Sequence, residues 1–457
     1  MSLEIIILAA GQGTRMKSDL PKVLHSIGHL PLLEHVHRLG ASFLPEKISI
    51  IYGHGGDQVL SRLAHLDAIW VEQKERLGTG HAVMQLAEDI GEHSTVLILY
   101  GDVPLLKQET VRELLALTRD GSLGLLTVQL EDPHGYGRII RDGAGQVLRI
   151  VEEKDATAEE KGVREGNTGI LAMNGGQLRQ WLQRLTNDNA QGEYYLTDVI
   201  GLAVDDGISV KTVQASSVDE VLGVNNRQQL AHLERIYQMG WANKLMLQGV
   251  TLRDPARFDL RGEIESLGQD VEIDVNVVLE GRVRLGDRVR VGPNTVIRDS
   301  EIGDDVQIMA NTVVDNAIVG GGCRIGPFAR LRPETELGVD VHVGNFVEIK
   351  KSTVGNRSKI NHLSYVGDAR VGSDVNIGAG AITCNYDGAN KFQTIIEDGA
   401  FIGSDSQLVA PVRVGKNATI GAGSTVTRDA PADALTVSRV KQVTREGWQR
   451  PTKKQEG

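Results

Sequence analysis

The chain has 457 residues, which is enough for two or three domains. Hydrophobic residues make up 40% of it and charged residues 24%, so it can bury substantial cores and has the composition of a soluble protein. Its net charge of −11 argues against a nucleic-acid partner and against binding to an acidic membrane surface.

Cysteine usage and hydropathy indicate the cellular setting. Cys323 and Cys384 form neither a disulfide framework nor a metal-binding spacing, so we expect two reduced thiols. We find no signal peptide and no apolar run long enough to span a bilayer; residues 5–10 are too few and are typical of a first strand. We therefore expect a cytoplasmic protein without a membrane span.

Residues 1–224 alternate apolar and amphipathic segments. The strand candidates are residues 4–9, 47–52, 95–100 and 123–128, and the helix candidates between them are residues 31–44, 79–87 and 108–119. This alternation predicts βαβ crossovers and a mainly parallel sheet, as in a Rossmann-like α/β domain. Because ligands of such sheets bind at the carboxyl ends of the strands, we expect the site in the loops there.

The first of these loops, residues 8–16, has the sequence LAAGQGTRM and is followed by Pro21 and Lys22. Glycines in such a loop allow the backbone N–H groups to approach a phosphate, and Arg15 and Lys22 would offset triphosphate charge. A dinucleotide fingerprint requires a third glycine where Met16 stands, and the Gly-Lys-Ser/Thr of a P-loop is absent. The loop therefore indicates a nucleoside triphosphate site of another kind.

Several segments together resemble the bifunctional bacterial N-acetylglucosamine-1-phosphate uridylyltransferases and glucosamine-1-phosphate acetyltransferases, within the wider group of sugar-1-phosphate nucleotidylyltransferases. Besides the first loop, these segments are QKERLGTG at 73–80, LYGDVP at 99–104, GYGR at 135–138, NTG at 167–169, GEYY at 192–195 and GVNNR at 223–227. The resemblance extends nearly from end to end of the chain.

The resemblance implies a site for UTP, Mg²⁺ and a sugar phosphate in the first domain. It implies that Asp102 and Asn225 bind Mg²⁺, and that Gln73, Gly78 and Thr79 recognise uracil. It assigns the sugar and ribose hydroxyls to Gly137, Glu152 and Asn167, and further substrate contacts to Leu8, Ala9, Ala10, Gly11, Tyr100 and Gly101. From the residues alone, Asp102 could equally brace the turn before Pro104, and Asn225 could be an ordinary helix cap.

The reaction implied for this domain is an in-line attack of the sugar phosphate on the α-phosphorus of UTP, which expels pyrophosphate. The nucleophile is already anionic, so no strong base is required. We expect Mg²⁺, Arg15 and Lys22 to accelerate the reaction by positioning and charge neutralisation, which makes Arg15 and Lys22 catalytic residues.

One long helix is predicted after the first domain. Apolar residues recur at three- and four-residue spacings over 226–247, and include Leu230, Leu233, Ile236 and Tyr237. The sequence therefore predicts a nucleotidylyltransferase domain at 1–224, a helical linker arm at 225–248, and a third segment at 249–457.

An aliphatic residue returns at every sixth position through long stretches of residues 271–426. The clearest runs are Ile325, Leu331, Leu337, Val343, Ile349 and Ile402, Leu408, Val414, Ile420, Val426. A period of six predicts short strands joined by corners, with three hexads to a coil and the aliphatic side chains inside. We expect the adjoining glycine, asparagine or aspartate, as at Gly344 and Gly403, to tolerate the left-handed backbone that the corners need.

The period breaks at residues 383–394, which predicts a protruding loop that forms a site wall or a subunit contact. Charged and polar residues precede this loop between the inward aliphatic positions, and they should face outward: Arg332, Glu348, Lys350, His362 and Tyr365. From the residues alone, an ordinary solvated surface would explain them.

The resemblance implies instead a left-handed β-helix that carries an acetyltransferase site, assembled as a homotrimer with these sites at the subunit interfaces. It implies that His362 is the base that takes a proton from the glucosamine amine, which attacks the thioester of acetyl-CoA. It assigns the sugar phosphate to Arg332 and Lys350 and the rest of the acceptor site to Tyr365 and Asn376, while Glu348 could orient the base or the sugar. The residues implied to contact coenzyme A are Ala379, Asn385, Tyr386, Ser404, Ala422 and Arg439.

The predicted function is therefore acetylation of glucosamine-1-phosphate followed by uridylyl transfer, giving UDP-N-acetylglucosamine, a precursor of peptidoglycan and lipopolysaccharide. Two alternatives stay open on the sequence. One is a nucleotidylyltransferase with a single activity whose β-helix is a scaffold or a regulator. The other is a non-enzymatic assembly subunit that retains the fold.

Overall fold

A computed structural model of the protein describes residues 2–53 and 55–453. The chain divides into two compact units, Met1–Tyr237 and Gln238–Gly457. The division falls inside the helix Arg227–Leu247, at the place where the sequence suggests a separate linker arm.

The first unit contains a nine-stranded sheet that is mainly parallel, as predicted. The order of its main strands is Val210–Gln214, Leu123–Gln129, Glu165–Asn174, Thr95–Tyr100, Leu3–Ala9, Lys47–Tyr52 and Ile69–Glu72. Glu165–Asn174 runs antiparallel to both of its neighbours, and the hairpin of Arg138–Arg141 and Val147–Val151 extends the sheet beside it. Apolar side chains such as Ile5, Ile50 and Leu97 are fully buried between the sheet and its helices.

Helices and short segments connect these strands. The α-helices are Leu32–Ala41, Gly56–Leu63, Thr79–Met84, Gln108–Ala116, Gly175–Leu182, Asp198–Asp205, Val218–Val221 and Arg227–Leu247. The 3-10 helices are Thr14–Met16, Lys22–Leu24, Leu117–Asp120, Glu160–Gly162 and Pro255–Arg257. A small antiparallel pair is formed by Ser26–Ile27 and Leu30–Pro31.

The second unit is a parallel β-helix, so the prediction from the six-residue period is confirmed. Ile308 pairs with Ile325 and Ile325 pairs with Val343, which makes one coil 17 or 18 residues long, or three hexads. Every aliphatic residue of the two predicted runs is at most 4% exposed. The hydrocarbon interior is therefore continuous from coil to coil.

The strands of the β-helix are short. In chain order they are Thr251–Leu252, Phe258–Leu267, Glu272–Ile273, Val277–Leu285, Arg290–Val291, Val296–Arg298, Glu301–Ile302, Gln307–Ile308, Val313–Asp315, Ala317–Val319, Arg324–Ile325, Arg330–Leu331, Thr335–Leu337, His342–Asn345, Glu348–Lys350, Ser352–Val354, Lys359–His362, Tyr365–Gly367, Ala369–Val371, Asn376–Ile377, Ile382–Cys384, Thr394–Ile396, Phe401–Ile402, Gln407–Val409, Val412–Val414, Thr419–Ile420, Thr425–Val426 and Leu435–Thr436.

Left-handed Asn and Asp residues are present at the corners, as predicted, but they do not directly adjoin the inward aliphatic residues. Left-handed backbone occurs three residues before an inward aliphatic residue, as at Asp340, Asp405 and Asn417. Gly344 and Gly403, which follow the aliphatic residues, have no such conformation. They are required for close packing instead, because a Cβ at Gly344 would lie 1.9 Å from the carbonyl oxygen of Asn361 on the next coil.

Replacing Gly344 with alanine should therefore destabilise the β-helix. The overlap with a backbone oxygen can be relieved only by separating two coils, and overpacking of this kind costs about 1–3 kcal/mol. Gly240 in the helix Arg227–Leu247 is the matched control, because a Cβ there meets nothing within 4 Å and should stabilise the helix by roughly 0.5–1 kcal/mol. The thermal unfolding midpoints of both variants can be measured by circular dichroism. Equal midpoints for the two variants would contradict the packing argument.

In the part of the chain that the structure describes, no helix is long and apolar enough to cross a membrane. Cys323 and Cys384 are both free thiols, and burial raises the pKa of each.

Candidate active sites

A cavity of about 320 Å³ opens at the carboxyl ends of the central strands of the first unit, where the sequence predicts the nucleotide site. Ten of the predicted site residues line it: Leu8, Ala9, Ala10, Gly11, Lys22, Gln73, Gly78, Thr79, Tyr100 and Asp102. Gly101 joins this wall to the first loop by donating its N–H to the carbonyl oxygen of Leu8 at 2.9 Å. The loops after two neighbouring parallel strands thus form one wall.

The Lys22 ammonium lies between the two residues predicted to bind Mg²⁺. Its Nζ donates to Asp102 Oδ2 at 2.5 Å and to Asn225 Oδ1 at 3.3 Å. Gly13 makes this approach possible, because it is left-handed with φ of 62° and a Cβ there would lie 2.6 Å from Lys22 Cβ. Gly223 lies beside the Asp102 carboxylate, where a Cβ would be at ordinary contact distance, 3.4 Å from Oδ2.

Asn225 is free to face Lys22 because another residue caps the following helix. The Asn226 side-chain oxygen accepts from the N–H of Gln229 at 2.9 Å, so Asn226 is the cap, and the alternative of a capping role for Asn225 is wrong. The backbone of Asn225 is held by Gln229 Oε1 at 2.8 Å, and Val224 donates to the carbonyl oxygen of Asp102 at 2.9 Å. These bonds tie the two predicted metal ligands together.

The donor set fits a magnesium ion. One carboxylate oxygen and one amide oxygen converge on a single cation, the Lys22 ammonium. Hard oxygen donors of this kind suit Mg²⁺, which uses one or two protein oxygens and completes its shell with water and phosphate. Among the described residues no cluster of three or more His, Cys, Asp or Glu side chains offers another metal site.

The turn predicted to recognise uracil is braced from two sides. Gln73 donates to the carbonyl oxygen of Gly78 at 3.1 Å. The segment after Glu193 is bonded to the same turn, since Tyr194 donates its N–H to the carbonyl oxygen of Leu77 at 2.7 Å and Leu196 donates to Thr79 Oγ1 at 3.1 Å. These hydrogen bonds connect the turn to both Gln73 and the segment 194–196.

The three residues predicted for the sugar and ribose lie close together on neighbouring strands. Asn167 donates its N–H to the carbonyl oxygen of Gly137 at 2.8 Å, and a Cβ at Gly137 would lie 3.4 Å from the carboxylate of Glu152. Burial raises the pKa of the Glu152 carboxyl, and a hydrogen bond from the Thr197 hydroxyl at 3.0 Å opposes that effect. Arg15 is exposed on the 3-10 helix Thr14–Met16 and does not line the cavity.

In the second unit, predicted acetyltransferase residues stand on successive coils. Glu348 and Tyr365 are direct partners in the parallel ladder, and Lys350 is the partner of Gly367. Arg332 donates to Glu348 at 2.8 Å. Tyr365 lies over Gly367, where a Cβ would be 2.3 Å from its hydroxyl, so a side chain at that position would displace the Tyr365 ring.

His362 is exposed at the end of the strand Lys359–His362, and its Nδ1 lies 2.8 Å from Asn345 Oδ1. Asn376 is half-buried on the next coil, where its strand pairs with the strand of His362.

The residues predicted to contact coenzyme A form two groups. Ala379, Ser404 and Ala422 lie on consecutive coils. The backbone N–H of Asp405 donates to the carbonyl oxygen of Ala379, and the N–H of Gly423 donates to the carbonyl oxygen of Ser404, each at 2.8 Å. Arg439 continues this column by donating to the carbonyl oxygen of Ala422 at 2.8 Å.

The second group is in the predicted protruding loop. Asn385 donates from Nδ2 to Asp368 at 2.5 Å, and the exposed Tyr386 forms an isolated bridge with Lys391. The N–H of Thr394 donates to the carbonyl oxygen of Asp368 at 3.2 Å. Asp368 therefore holds both ends of the loop.

Comparison with known proteins links both sites to one family. Residues 5–158 match the model of the MobA-like NTP transferase domain, residues 265–361 that of the GMPPB C-terminal domain, and residues 393–428 that of the bacterial transferase hexapeptide repeats. The bifunctional protein GlmU of Methylococcus capsulatus is 64% identical over 453 residues, which cover 99% of this chain and 98% of the relative. The GlmU proteins of Azoarcus sp. and Aromatoleum aromaticum are 57% and 56% identical, and each is covered completely.

The chain belongs to the GlmU family of bifunctional proteins.

Membership of the GlmU family confirms the prediction of a bifunctional uridylyltransferase and acetyltransferase. Because the GlmU relatives match over both halves of the chain, the comparison favours two activities over a single-activity enzyme with an inert β-helix. It equally disfavours the non-enzymatic assembly subunit.

Several residues that shape the sites of this GlmU-family chain were not predicted from the sequence. Arg76 and Glu193 line the nucleotide cavity within the recognised segments 73–80 and 192–195. Asn345 contacts His362 from one coil away, and the coil length of 17 or 18 residues would have aligned the two positions. Thr197 gave no signal, because its contact with Glu152 depends on how a loop folds back on the sheet.

Proposed function

We propose that the first unit transfers UMP from UTP to N-acetylglucosamine-1-phosphate through the cavity around Lys22 and Asp102. In this proposal Asp102 and Asn225 hold Mg²⁺, which supplies electrostatic stabilisation of the phosphates when bound. The Lys22 ammonium and the exposed Arg15 neutralise phosphate charge while the sugar phosphate attacks the α-phosphorus. Uracil is read by Gln73, Gly78 and Thr79, and the sugar by Gly137, Glu152 and Asn167.

The observation that carries this proposal is the convergence of the Asp102 and Asn225 oxygens on one cation at the cavity wall. Leu8, Ala9, Ala10, Gly11, Tyr100 and Gly101 belong to the same strand ends as Asp102, as a nucleotide site at this sheet edge requires.

We further propose that the β-helix acetylates glucosamine-1-phosphate with acetyl-CoA. The amine nitrogen forms a bond to the acetyl carbon, the carbon–sulfur bond breaks, and His362 Nε2 takes the amine proton, so that it can return to the departing thiolate. Arg332 and Lys350 bind the phosphate, and Tyr365 and Asn376 complete the acceptor site. Coenzyme A lies along the column of Ala379, Ser404, Ala422 and Arg439, with Asn385 and Tyr386 of the loop beside it.

The assembly proposed is a homotrimer with the acetyl-transfer sites at its interfaces. Its support is an apolar column formed by Phe328, Phe346 and Leu363, which occupy the same corner of three successive coils and are 49%, 55% and 62% exposed. The two phenylalanine rings stack with centroids 5.3 Å apart. This corner directly follows Asn345 and His362 in the chain.

The backbone of this apolar column is unusual. Phe328, Phe346 and Leu363 are left-handed with φ of 56°, 56° and 50°, whereas other corners use residues such as Asp340 and Asn417. Bulky residues in this conformation cost on the order of 1–3 kcal/mol each, and exposed apolar patches mark interaction sites. A second copy of the chain covering this corner would explain both features.

Replacing Phe346 with glutamate should separate the trimer, because three carboxylates would be brought into an apolar interface. We expect a monomer in analytical ultracentrifugation and a loss of acetyl transfer of at least about tenfold, while uridylyl transfer persists. Val339→Glu introduces the same charge at another exposed aliphatic position of the β-helix and should leave the trimer intact. A trimer that survives Phe346→Glu would refute this interface.

The overall proposal is tested by incubating the purified protein with glucosamine-1-phosphate, acetyl-CoA, UTP and Mg²⁺. UDP-N-acetylglucosamine, pyrophosphate and free coenzyme A are expected, and substituting other nucleoside triphosphates tests the choice of base. We propose segments 1–224 and 249–457 as the functional domains and 225–248 as the arm between them. The cytoplasmic location stays a prediction.

A further inference from the structure

We propose that Asn345 is a positioning residue that holds the His362 imidazole in the one tautomer that can accept a proton at Nε2. This rests on the proposed acetyl transfer with His362 as its base. The contact that suggests it is the 2.8 Å separation between His362 Nδ1 and Asn345 Oδ1.

The coil stacking itself fixes this contact. Asn345 and His362 are direct partners in the parallel ladder of successive coils. The backbone carbonyl of Asn345 also accepts the N–H of Leu363 at 3.1 Å, and the Ser364 hydroxyl donates to the carbonyl oxygen of His362 at 2.8 Å. The peptide group that follows His362 is thus held at both its C=O and its N–H, and Asn345 contacts the ring.

The chemistry of the amide oxygen decides the tautomer. That oxygen only accepts hydrogen bonds, so Nδ1 must carry the proton and the lone pair is left on Nε2. The opposite tautomer would set the Nδ1 lone pair against the amide oxygen. A neutral histidine oriented in this way is prepared to act as a base without first rearranging.

Glu348 is paired with arginine side chains. Its carboxylate lies 2.8 Å from Arg332 and 3.8 Å from Arg330, so it is engaged on the phosphate side of the proposed acceptor site. The possibility that Glu348 orients the base is therefore less well supported than a role in holding Arg332.

Two variants of Asn345 separate hydrogen bonding from shape. Asn345→Leu keeps the approximate volume and removes the acceptor, and we expect kcat for acetyl transfer to fall about 10- to 100-fold. That loss is smaller than the roughly 10²–10⁴ contributed by a general base. The KM values for acetyl-CoA and glucosamine-1-phosphate should change less than about twofold. Asn345→Asp retains an oxygen acceptor and should restore kcat to within about threefold of the wild-type value, each protein being assayed at its own pH optimum.

The uridylyl activity of the same chain is the internal control for folding, together with the trimer mass and the thermal unfolding midpoint. Should Asn345→Leu fail these controls, Asn345→Ser replaces it, because a serine hydroxyl is too short to reach Nδ1 and should cause the same loss. Wild-type kcat in the leucine or serine variant would overturn the proposal. So would an aspartate variant as slow as the leucine variant, since the amide nitrogen would then be the contacting atom.

The His362→Ala variant distinguishes this inference from the function on which it rests. If His362→Ala keeps full acetyl transfer, the base assignment itself fails. If His362→Ala is inactive while Asn345→Leu is fully active, the base assignment stands and only the positioning role of Asn345 is refuted.

Discussion

Replacing His362 with alanine should lower the rate of acetyl transfer by about 10²- to 10⁴-fold, the usual contribution of a general base. The side chain is exposed at the end of its strand, so its removal creates no cavity and should not unfold the coil. Thiol release from acetyl-CoA in the presence of glucosamine-1-phosphate measures the loss. Uridylyl transfer by the same preparation should keep its wild-type rate, because it occurs in the other unit.

His342→Ala is the matched control for that experiment. His342 lies in the same β-helix, half-buried in the strand His342–Asn345, and has no part in the proposed chemistry. It should retain acetyl transfer. A His362→Ala enzyme that releases thiol at the wild-type rate would leave the β-helix without its assigned base.

Replacing Asp102 with asparagine should reduce uridylyl transfer by about 10²- to 10³-fold. The carboxylate supplies the only full negative charge of the Lys22, Asp102 and Asn225 arrangement. A bound metal ion stabilises the transition state by several kcal/mol. Each 1.36 kcal/mol of that stabilisation corresponds to a tenfold change in rate. We also expect weaker metal binding, measured without substrate by electron paramagnetic resonance of Mn²⁺. Acetyl transfer should be unchanged.

Asp120→Asn is a close control, because it breaks another lysine–aspartate pair, that of Lys211 and Asp120, on the surface of the same unit. Exposed pairs contribute little to stability or function, so this variant should keep both metal binding and uridylyl transfer. Undiminished Mn²⁺ affinity in Asp102→Asn would remove Asp102 from the proposed metal site.

The fold was predictable where the spacing of apolar residues directly reflects the local backbone geometry. Each strand of the first sheet that was predicted from an apolar run is present within one residue, as Leu123–Gln129 illustrates. The hexad period located the β-helix because each inward position must be filled by hydrocarbon. The corner glycines were misread because a glycine beside an aliphatic residue serves equally for left-handed backbone and for close packing, and only the neighbouring coil distinguishes the two.

The sequence allowed the residues of the candidate sites to be named, but it gave little information about how those residues are arranged in space. The resemblance supplied Lys22, Asp102 and Asn225, which are separated in the chain by 80 and 203 residues from Lys22. No periodicity relates such positions. The resemblance likewise supplied His362, whereas its partner Asn345 emerged from the contact between coils.

By itself the sequence determined that this protein pairs a nucleotide-binding α/β domain with a β-helix, because side-chain direction along a strand or a coil is a local property of the chain. The tertiary structure alone decided that the Lys22 ammonium stands between two metal-ligand candidates, that Asn226 and not Asn225 caps a helix, and that Asn345 meets His362. These contacts depend on how distant segments stack, and stacking is fixed by the packing of the whole unit and not by any short stretch of residues.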